Sequence, residues 1–413
     1  MKITIDQRNA IAFVSKHIST NPVVAIDGAA GTGKTTIIGD LIRTLKKQGY
    51  SITLTAYTNK AVQVLRAKGL RATDTFHRHC FKSEYSLTQQ KLLTFLTKLE
   101  KEPFMEFPSD LQQVYGRSRL EALRRLPNYR RMCSSLLRPQ TSNTYKPRPP
   151  KPGVLIVDEA SMINKAELEA AKKVFNKIVL VGDSHQLAPV KGTEVFDTVK
   201  PVFTLTEVLR HPPQSKARDL ANAIRRLDLA NLRTSGKVSI NNKFTHECVI
   251  TGKTPVITFT NERRQEINTS VRAFVGYDGL PPQPNELLVC TESYSRFTLT
   301  KELHNGSFWK VLSTSSPYVC TLKNLQTDRI LHDIPVNVNG ESDALGYDFD
   351  YAYCLTAHTA QGSEFPAVIV DQAGWEYWQD RNRALKKTNK RKYLSWLYTA
   401  VTRARIEVYQ LAA

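Results

Sequence analysis

The sequence predicts an α/β fold in which short buried strands alternate with helices and form parallel sheets. An apolar run at residues 23–26 has strand character, a glycine loop follows it, and apolar residues then recur at helical spacing. A second four-residue apolar run, at residues 154–157, is typical of a buried parallel strand. The chain has 413 residues, enough for two or three domains with cores of their own.

The glycine loop after the first strand carries the pattern G-x-x-x-x-G-K-[ST]. Glycines let backbone N–H groups converge on phosphate oxygens, and the start of the next helix attracts the same anion. Lys34 supplies a positive charge to the β- and γ-phosphates, and Thr35 can hold Mg²⁺. A glycine turn that merely precedes a helix is the alternative, which the flanking strand disfavours. The predicted nucleoside triphosphate site comprises Gly28, Ala29, Ala30, Gly31, Thr32, Gly33, Lys34, Thr35 and Thr36.

Ahead of this loop, the N-terminal segment predicts a short amphipathic helix that Asp6 could cap. Gln7 would then lie at the helix start, where its amide could both accept from and donate to an adenine edge. On this residue alone, a solvated glutamine is the simpler interpretation.

Two strand ends after the loop carry residues that suit nucleic-acid contact. A strand at 51–57 is followed by Thr58 and Asn59 at a helix start, a position that favours phosphate contact. The next such turn, Thr75-Phe76-His77, supplies a hydroxyl for a phosphate and two rings for stacking. Taken singly, ordinary loop chemistry explains each of them better.

Two acidic residues follow the strand at 154–157, at the edge where open parallel sheets keep their sites. We expect Asp158 to bind Mg²⁺ directly or through a water, and Glu159 to polarise the attacking water. A helix cap is the weaker alternative. The next strand ends in G-D-S-H-Q-L-A-P, where Gln186 offers an amide to the γ-phosphate. A hydrogen bond present only with the triphosphate would make this glutamine a nucleotide sensor.

Two segments break the α/β pattern and are predicted to be insertions. Residues 81–152 combine a Leu/Phe-rich amphipathic patch, a run of arginines and the segment K-P-R-P-P-K-P-G, which cannot be helical. We expect a basic subdomain there, in which Tyr115 and Tyr129 favour nucleic-acid contact over a merely solvated face. Residues 271–345 are rich in short β signals and turns and predict a small β-barrel-like insert.

The composition favours a polyanionic partner and disfavours a secreted or membrane protein. Lys and Arg total 58 against 38 Asp and Glu, which gives a formal charge of +20. With a nucleotide loop present, nucleic acid is a better explanation of this charge than solubility alone. Six scattered cysteines form no C-x-x-C pair, which argues against zinc and disulfides and indicates a reducing cytoplasm. No apolar run is long enough to span a bilayer.

Six short motifs follow one another along the chain. They are G-A-A-G-T-G-K-T, V-D-E-A-S, G-D-S-H-Q-L-A-P, L-T-E-V-L-R, T-A-H-T-A-Q-G-S-E-F and Y-T-A-V-T-R-A-R. In this order they resemble the motif set of superfamily 1 helicases. The set spans nearly the whole chain and most resembles the RecD-like and Dda-like 1B branch. The resemblance implies two RecA-like lobes with parallel sheets, at residues 1–204 and 205–413. The basic insert (about 81–152) falls in the first lobe, and an SH3-like barrel (about 271–345) in the second.

The resemblance also implies roles for individual residues. The adenine-reading glutamine matches Gln7, and two arginine fingers of the far lobe match Arg210 and Arg403. Two further residues expected at the nucleotide are Gly362 and Glu364. The catalytic set is Lys34, Asp158, Glu159, Gln186, Arg210 and Arg403, and the metal ligands are Thr35 and Asp158. The residues expected to contact a single strand are Thr58, Asn59, Thr75, Phe76, His77, Thr356 and His358.

These expectations describe an ATP-dependent DNA helicase that uses ATP and Mg²⁺. Closing on ATP would bring Arg403 to the charge that develops on the γ-phosphoryl, and opening on ADP would step the two lobes along one strand. The expected partners are single-stranded DNA, forked duplex DNA and replication or recombination proteins. The resemblance adds 5′→3′ polarity, a role in replication, repair or recombination, and a phage or bacterial setting. We expect a monomer in the cytoplasm, the host cytoplasm if phage-encoded, without membrane attachment.

Three alternatives remain open at this stage. A viral-type RNA helicase would carry the same arrangement of motifs. A strand-binding or annealing protein could carry these motifs in a motor domain that has lost its activity. A small-molecule kinase would explain the loop but neither the charge nor Arg403. The insert before Asp158 is longer than in compact phage relatives, which leaves the strand-separating element unassigned. Little sequence follows the last motif, so no C-terminal accessory domain is expected.

Overall fold

The computed structural model divides the chain into two compact units. The first unit contains Met1–Phe81, Pro147–Leu280 and Ala352–Ala413, and the second contains Lys82–Lys146 and Pro281–Tyr351. The residues that the structure describes are 3–81, 91, 94, 95, 98, 105–115, 117, 146–189, 193–209, 215–227, 234–239, 249, 251–291, 303–316, 318–338, 347–373 and 389–411.

The first lobe of the first unit is built on a six-stranded sheet in the order β3-β2-β4-β5-β1-β6, with every neighbouring pair parallel. Its central strands are almost wholly apolar, because helices cover both faces of a parallel sheet. The strands are β1 (Val23–Gly28), β2 (Ile52–Ala56), β3 (Ala72–Thr75), β4 (Lys151–Asp158), β5 (Phe175–Gly182) and β6 (Val202–Leu205).

The helices of this lobe bury one apolar stripe each against the sheet. The helix after the phosphate loop buries Ile37, Ile38, Leu41 and Leu45, which recur at helical spacing. The helices are Ile5–His17, Lys34–Lys47, Asn59–Ala67, Phe76–Cys80 and Lys165–Lys172.

The first helix is capped by Thr4, and the prediction that Asp6 caps it is wrong. Gln7 N donates to Thr4 Oγ1 at 3.3 Å, while Thr4 N donates to Gln7 Oε1 at 3.1 Å, a reciprocal capping box. Asp6 lies one residue inside the helix, and its Oδ2 accepts from Thr206 N at 2.8 Å. This carboxylate therefore ties the helix to the segment after β6.

The second lobe of the first unit has a five-stranded parallel sheet in the order β14-β8-β15-β16-β7. The helix that precedes β16 places Trp396 and Tyr398 in the interior. The strands are β7 (Gly236–Val238), β8 (Val256–Thr258), β14 (Cys354–Thr356), β15 (Phe365–Val370) and β16 (Ala404–Leu411). The helices are Lys216–Arg225, Asn261–Phe274, Ala357–Ala360 and Asn389–Val401.

The second unit contains a closed five-stranded barrel in the order β10-β11-β12-β13-β9. The pair β12–β13 is parallel, and the other pairs are antiparallel. Trp309 is fully buried, and its indole Nε1 donates to Ser307 Oγ at 2.9 Å. The strands are β9 (Leu287–Cys290), β10 (Phe308–Ser316), β11 (Val319–Asn324), β12 (Ile330–Val338) and β13 (Tyr347–Tyr351).

Most of the predicted basic insert lies outside the described residues, including Tyr129 and all but one arginine of the run between 117 and 138. Within the described part, Phe95 and Phe107 pack ring to ring at 5.2 Å, and Leu111 of the helix Ser109–Tyr115 is also buried. Arg117 is exposed.

The predicted fold class, two parallel α/β lobes with a small β-barrel, is confirmed. The barrel segment runs over Pro281–Tyr351, later than the 271–345 expected from sequence. The difference arises because the helix Asn261–Phe274 continues into that range with Val271 fully buried, and because β13 closes the barrel against β9. None of the helices in the described ranges is long and apolar enough to cross a membrane.

Candidate nucleotide site and nucleic-acid contacts

The phosphate loop joins the end of β1 to the helix Lys34–Lys47. Gly33 has φ +79°, a conformation that favours glycine, and a Cβ at this position would displace the Gln7 amide from its place beside the loop. Lys34 Nζ donates to Gly28 O at 2.7 Å and to Ala29 O at 2.9 Å. The lysine therefore folds over the loop and places its charge where phosphate oxygens would lie.

Thr35 and Asp158 form the pair predicted to hold magnesium. Thr35 Oγ1 donates to Asp158 Oδ2 at 3.1 Å, and both residues line the same cleft. Burial and the neighbouring Glu159 carboxylate raise the pKa of Asp158 to about 6, against opposing effects of the Glu159 N–H and Lys34. A hydroxyl and a carboxylate are hard oxygen donors, which Mg²⁺ prefers. The donor set therefore fits this ion.

Glu159 follows β4 in the left-handed conformation, with φ 54° and ψ 42°. A residue other than glycine held in this region costs about 1–3 kcal/mol, and such residues concentrate at functional sites. The strained backbone turns the chain into a single 3₁₀ turn, Ala160–Met162, and leaves the Glu159 side chain lining the cleft. This position suits a carboxylate that polarises a water molecule.

One cleft of about 320 Å³ is lined by residues of both lobes. The first lobe contributes Gln7, Ala30, Gly31, Gly33, Lys34, Thr35, Thr36, Ala61, Val64, Lys68, Asp158, Glu159, Gln186 and Leu209. The second lobe contributes Gly362, Ser363, Glu364 and Arg403. The predicted loop residues Gly28, Ala29 and Thr32 are buried behind this lining. The cleft therefore unites phosphate loop, acidic pair and second-lobe arginine.

Arg403 is buried and oriented by its own helix end. Its Nε donates to Thr399 O at 3.0 Å, and its Nη2 donates to Thr402 Oγ1 at 3.1 Å. These contacts fix the plane of the guanidinium, so little side-chain entropy is lost when it meets an anion. The second predicted finger, Arg210, lies outside the described residues.

Gln186 is buried in the turn that follows β5, and half of its amide is hydrogen-bonded. Its Nε2 donates to Asp183 Oδ2 at 3.3 Å, while Oε1 has no partner among the described residues. A buried polar atom without a partner costs about 1–3 kcal/mol and calls for a ligand or water. Because Gln186 lines the cleft, this arrangement is compatible with the nucleotide-sensing role predicted for it.

Gln7 connects the first helix to the phosphate loop. Its Nε2 donates to Thr32 O at 3.1 Å, in addition to the capping bond that its Oε1 accepts from Thr4 N. A primary amide has two N–H groups and two lone pairs, so one of each is left for a base edge.

The three threonines predicted to contact nucleic acid all occupy the N-cap position of a helix that follows a parallel strand. Thr58 Oγ1 accepts from Ala61 N at 3.1 Å, and Thr356 Oγ1 accepts from Thr359 N at 3.3 Å. Thr75 caps the helix Phe76–Cys80 without a side-chain bond. Asn59 is the first residue of its helix, and the three caps lie at the carboxyl edges of both sheets.

The ring residues of the second predicted turn differ in exposure. Phe76 is fully buried and packs against Tyr57, His77 and Phe81, so it supports a ring cluster rather than offering a face to a base. His77 is about 38% exposed, and its Nε2 lies 2.8 Å from Glu167 Oε1. His358 is largely enclosed, and this burial lowers its pKa.

Sequence reasoning missed several residues near these sites. The ring of Tyr57 meets that of His77 edge-on at 5.0 Å, and its adjacency to Thr58 was the available signal. Lys60 Nζ donates to Ser363 Oγ of the second lobe, while burial and the charge of Arg403 lower the lysine pKa to about 7.

Another missed residue, Thr260, caps the helix Asn261–Phe274 as Thr58 caps its own helix. The repeat of aromatic-Thr-Asn at 57–59 and 259–261 could have revealed it.

The two lobes and their shared cleft define a P-loop nucleotide-binding protein with two RecA-like lobes. Residues 3–242 match the family described as AAA domain, and residues 351–410 match the UvrD-like helicase C-terminal domain. Because the first match spans more than half of the chain, this protein belongs to the AAA-domain family. The prediction of a superfamily 1 helicase, and with it of an ATP hydrolase, is confirmed by the pair of matches.

Individual relatives are more distant. The chain is 28% identical over 249 residues to the DNA replication ATP-dependent helicase/nuclease DNA2 of Bos taurus. The matched region covers 58% of this chain and 20% of that protein. The chain thus spans about one fifth of the length of this curated relative.

Two solved structures of Pif1 helicases share the fold. The Bacteroides Pif1 helicase in complex with ADP-AlF3 and ssDNA has a TM-score of 0.51 at 15% identity, covering 99% of this chain and 92% of that one. A structure of two coordinating Pif1 helicases at forked dsDNA has a TM-score of 0.51 at 14% identity, with the same coverage.

Proposed function

We propose that this protein is an ATP-driven motor that moves 5′→3′ on single-stranded DNA and separates forked duplexes. The observation that carries the proposal is the shared cleft, in which Lys34 of the first lobe and Arg403 of the second both face one nucleotide-sized space. A site divided between two lobes makes hydrolysis depend on their closure, and closure can be converted into movement.

The chain's own residues suit each part of the chemistry. Lys34 and the loop N–H groups would bind the phosphates, Glu159 would orient the attacking water, and Arg403 would stabilise charge that develops on the γ-phosphoryl. Mg²⁺, when bound, would neutralise the β- and γ-phosphate oxygens, and Thr35 and Asp158 would hold it.

Contact with a single strand is supported by the helix starts at the carboxyl edges of both sheets. The nine-residue helix after Thr58 is long enough for its N-terminus to attract a phosphate, while Thr75 and Thr356 offer hydroxyl groups at the starts of short helices of five and four residues. Helix N-termini attract phosphate irrespective of base sequence, and the formal charge of +20 strengthens that attraction. The Bacteroides Pif1 structure that shares this fold contains ssDNA and ADP-AlF3, which supports DNA as the polymer.

The 5′→3′ polarity and the pathway rest on the family resemblance. Replication or recombination proteins as partners, a monomeric state, a phage origin and a cytoplasmic location likewise remain predictions.

The deciding experiment measures ATP hydrolysis and unwinding together. We expect single-stranded DNA to stimulate phosphate release, RNA to stimulate it less, and a 5′-tailed duplex to be unwound in preference to a 3′-tailed one. Lys34→Ala should abolish hydrolysis yet leave strand binding largely intact.

Each alternative has its own result in the same assays. Stronger stimulation by RNA would favour an RNA helicase, and strand binding without stimulated hydrolysis would favour an annealing protein. Phosphate transfer to an acceptor other than water would indicate a kinase.

A further inference from the structure

Tyr398 joins the second lobe to the phosphate loop. It lies in the helix Asn389–Val401 and is about 1% exposed. Its hydroxyl accepts a hydrogen bond from Ala30 N at 3.1 Å and donates one to Asp183 Oδ2 at 2.9 Å. A single side chain of the second lobe therefore contacts two separate segments of the first lobe, both of them next to the nucleotide cleft.

Asp183 extends this contact to the residue predicted to sense the γ-phosphate. The same Oδ2 that accepts from Tyr398 also accepts from Gln186 Nε2 at 3.3 Å, while Oδ1 accepts from His185 N at 3.2 Å. The carboxylate is fully buried, so these three groups donate the hydrogen bonds that water would otherwise supply. The position of the Gln186 amide thus depends on a carboxylate that Tyr398 helps to hold.

The neighbouring residue strengthens the same contact. Thr399 Oγ1 accepts from Leu187 N at 2.9 Å, and Thr399 O accepts from Arg403 Nε at 3.0 Å. One turn of helix therefore holds the segment after Gln186 on one side and the catalytic arginine on the other.

The tyrosine is held in the form that can donate. Burial and the adjacent Asp183 raise its pKa well above the usual value, so the hydroxyl keeps its proton at any physiological pH. The hydroxyl donates its hydrogen bond to the Asp183 carboxylate and accepts one from Ala30 N with an oxygen lone pair, which matches the two observed bonds.

We propose that Tyr398 is a positioning residue of the ATPase, which orders the phosphate loop through Ala30 and the Gln186 amide through Asp183 when the lobes are together. Separation of the lobes breaks the bonds to Ala30, Asp183 and Leu187 in one movement. The phosphate loop and the Gln186 segment then lose these contacts together, while Arg403 moves away with its own helix, so the assembled site exists only in the closed state. This proposal deepens the motor function above and rests on it.

The test uses the full chain with Tyr398→Phe, which removes one oxygen and keeps the ring. We expect kcat for ATP to fall roughly 10-fold to 100-fold, since small misplacement of catalytic groups has effects of this size, while KM for ATP stays within about threefold. Tyr353→Phe removes a hydroxyl from an equally buried tyrosine of the second lobe outside the cleft, and it should leave kcat within about twofold of wild type.

A double-mutant cycle separates positioning from a general structural role. Because Tyr398 acts partly through Gln186, the loss of kcat in Tyr398→Phe combined with Gln186→Ala should be clearly smaller than the product of the two single losses. Losses that multiply, or a Tyr398→Phe enzyme with wild-type kcat, would overturn the proposal. Melting temperatures check folding, and if Tyr398→Phe is unstable, Asp183→Asn interrupts the same relay and should reproduce the fall in kcat.

The two proposals can fail separately. A wild-type protein whose hydrolysis is not stimulated by DNA would end the motor proposal. The Tyr398 assignment would still be decided by the ratio of basal kcat values between wild type and variant, whatever activates the enzyme.

Discussion

Lys60 of the first lobe donates a hydrogen bond to Ser363 Oγ of the second, in a position that excludes nearly all solvent. Burial, followed by the positive charge of Arg403, lowers the pKa of this lysine to about 7 from its ordinary value of 10.5. The side chain therefore changes charge near neutral pH, at the point where the lobes meet beside the nucleotide cleft. The first prediction concerns that titration.

Replacing Lys60 with methionine should make the stability difference from wild type depend on pH. The unfolded lysine holds its proton up to about pH 10.5 and the folded one only to about pH 7, so unfolding takes up a proton in that window. Wild type should therefore gain roughly 2 kcal/mol over Lys60→Met between pH 7 and 9, and lose that gain as the pH falls toward 7.

Denaturant unfolding at several pH values measures this difference. Lys68→Met, at an exposed position just beyond the helix Asn59–Ala67, is the matched control for removing a lysine from this part of the fold. A difference for Lys60→Met that is constant with pH would show that the lysine is charged throughout.

Asp158→Asn should remove most hydrolysis while leaving the fold intact. The amide keeps an oxygen for Thr35 Oγ1 but loses the charge that a divalent cation requires, so we expect kcat to fall roughly 100-fold or more. Phosphate release is measured against Mg²⁺ concentration. Chelation with EDTA should abolish hydrolysis by the wild-type protein, and added Mg²⁺ should restore it. Asp219→Asn, an exposed acid on the helix Lys216–Arg225, should behave as wild type. Equal activity of Asp158→Asn and wild type would place the metal elsewhere.

Arg403→Ala should bind ATP but hydrolyse it slowly. In related phosphoryl-transfer enzymes an arginine finger contributes about 10³–10⁵ in rate, and this guanidinium is already oriented by Thr399 O and Thr402 Oγ1. Single-turnover hydrolysis and equilibrium binding of a fluorescent ATP analogue separate the two steps. Arg405→Ala removes an exposed arginine two residues further on and serves as the control. An unchanged kcat in Arg403→Ala would remove the argument for a site shared by two lobes.

The sequence could predict the parts of the site that short motifs encode in full. Lys34 and Thr35 follow from the loop pattern, and Asp158 and Glu159 from their place at a strand end, because the carboxyl ends of parallel strands meet at one edge. The structure brings these residues into a single cleft with Arg403.

The remaining features depend on packing between segments that are far apart in the chain. The bond from Ala30 N to Tyr398 exists because the helix Asn389–Val401 docks on the first lobe, and no local pattern encodes that docking. The pKa of Lys60 likewise follows from burial beneath the second lobe, and the burial of Phe76 follows from the rings around it. The barrel begins later than the predicted residue 271 because the helix Asn261–Phe274 extends past that point and buries Val271.

Tyr57 should contribute to single-strand affinity through its ring. It packs edge-on to His77 at 5.0 Å, and His77 is in turn held by Glu167 Oε1 at 2.8 Å, so both partly exposed rings are fixed in place. Aromatic stacking on a base is worth about 1–3 kcal/mol, so Tyr57→Ala should weaken binding of a short DNA strand roughly 5-fold to 100-fold at fixed salt.

Tyr57→Phe is the matched variant for this prediction, because the bond from its hydroxyl to Glu167 Oε1 is long, at 3.5 Å, and should contribute little. Fluorescence anisotropy with a labelled oligonucleotide gives both affinities. Equal losses in the two variants would mean that the hydroxyl rather than the ring makes the contact, and no loss in either would place the strand away from this turn.

Because Tyr57 N donates to Asp158 O at 3.1 Å, a strand bound here would lie one backbone hydrogen bond from a residue of the proposed magnesium site. Strand binding at Tyr57 should therefore change the rate of ATP hydrolysis. Tyr57→Ala should raise the concentration of DNA needed for half-maximal stimulation of the ATPase more than it lowers the maximal rate.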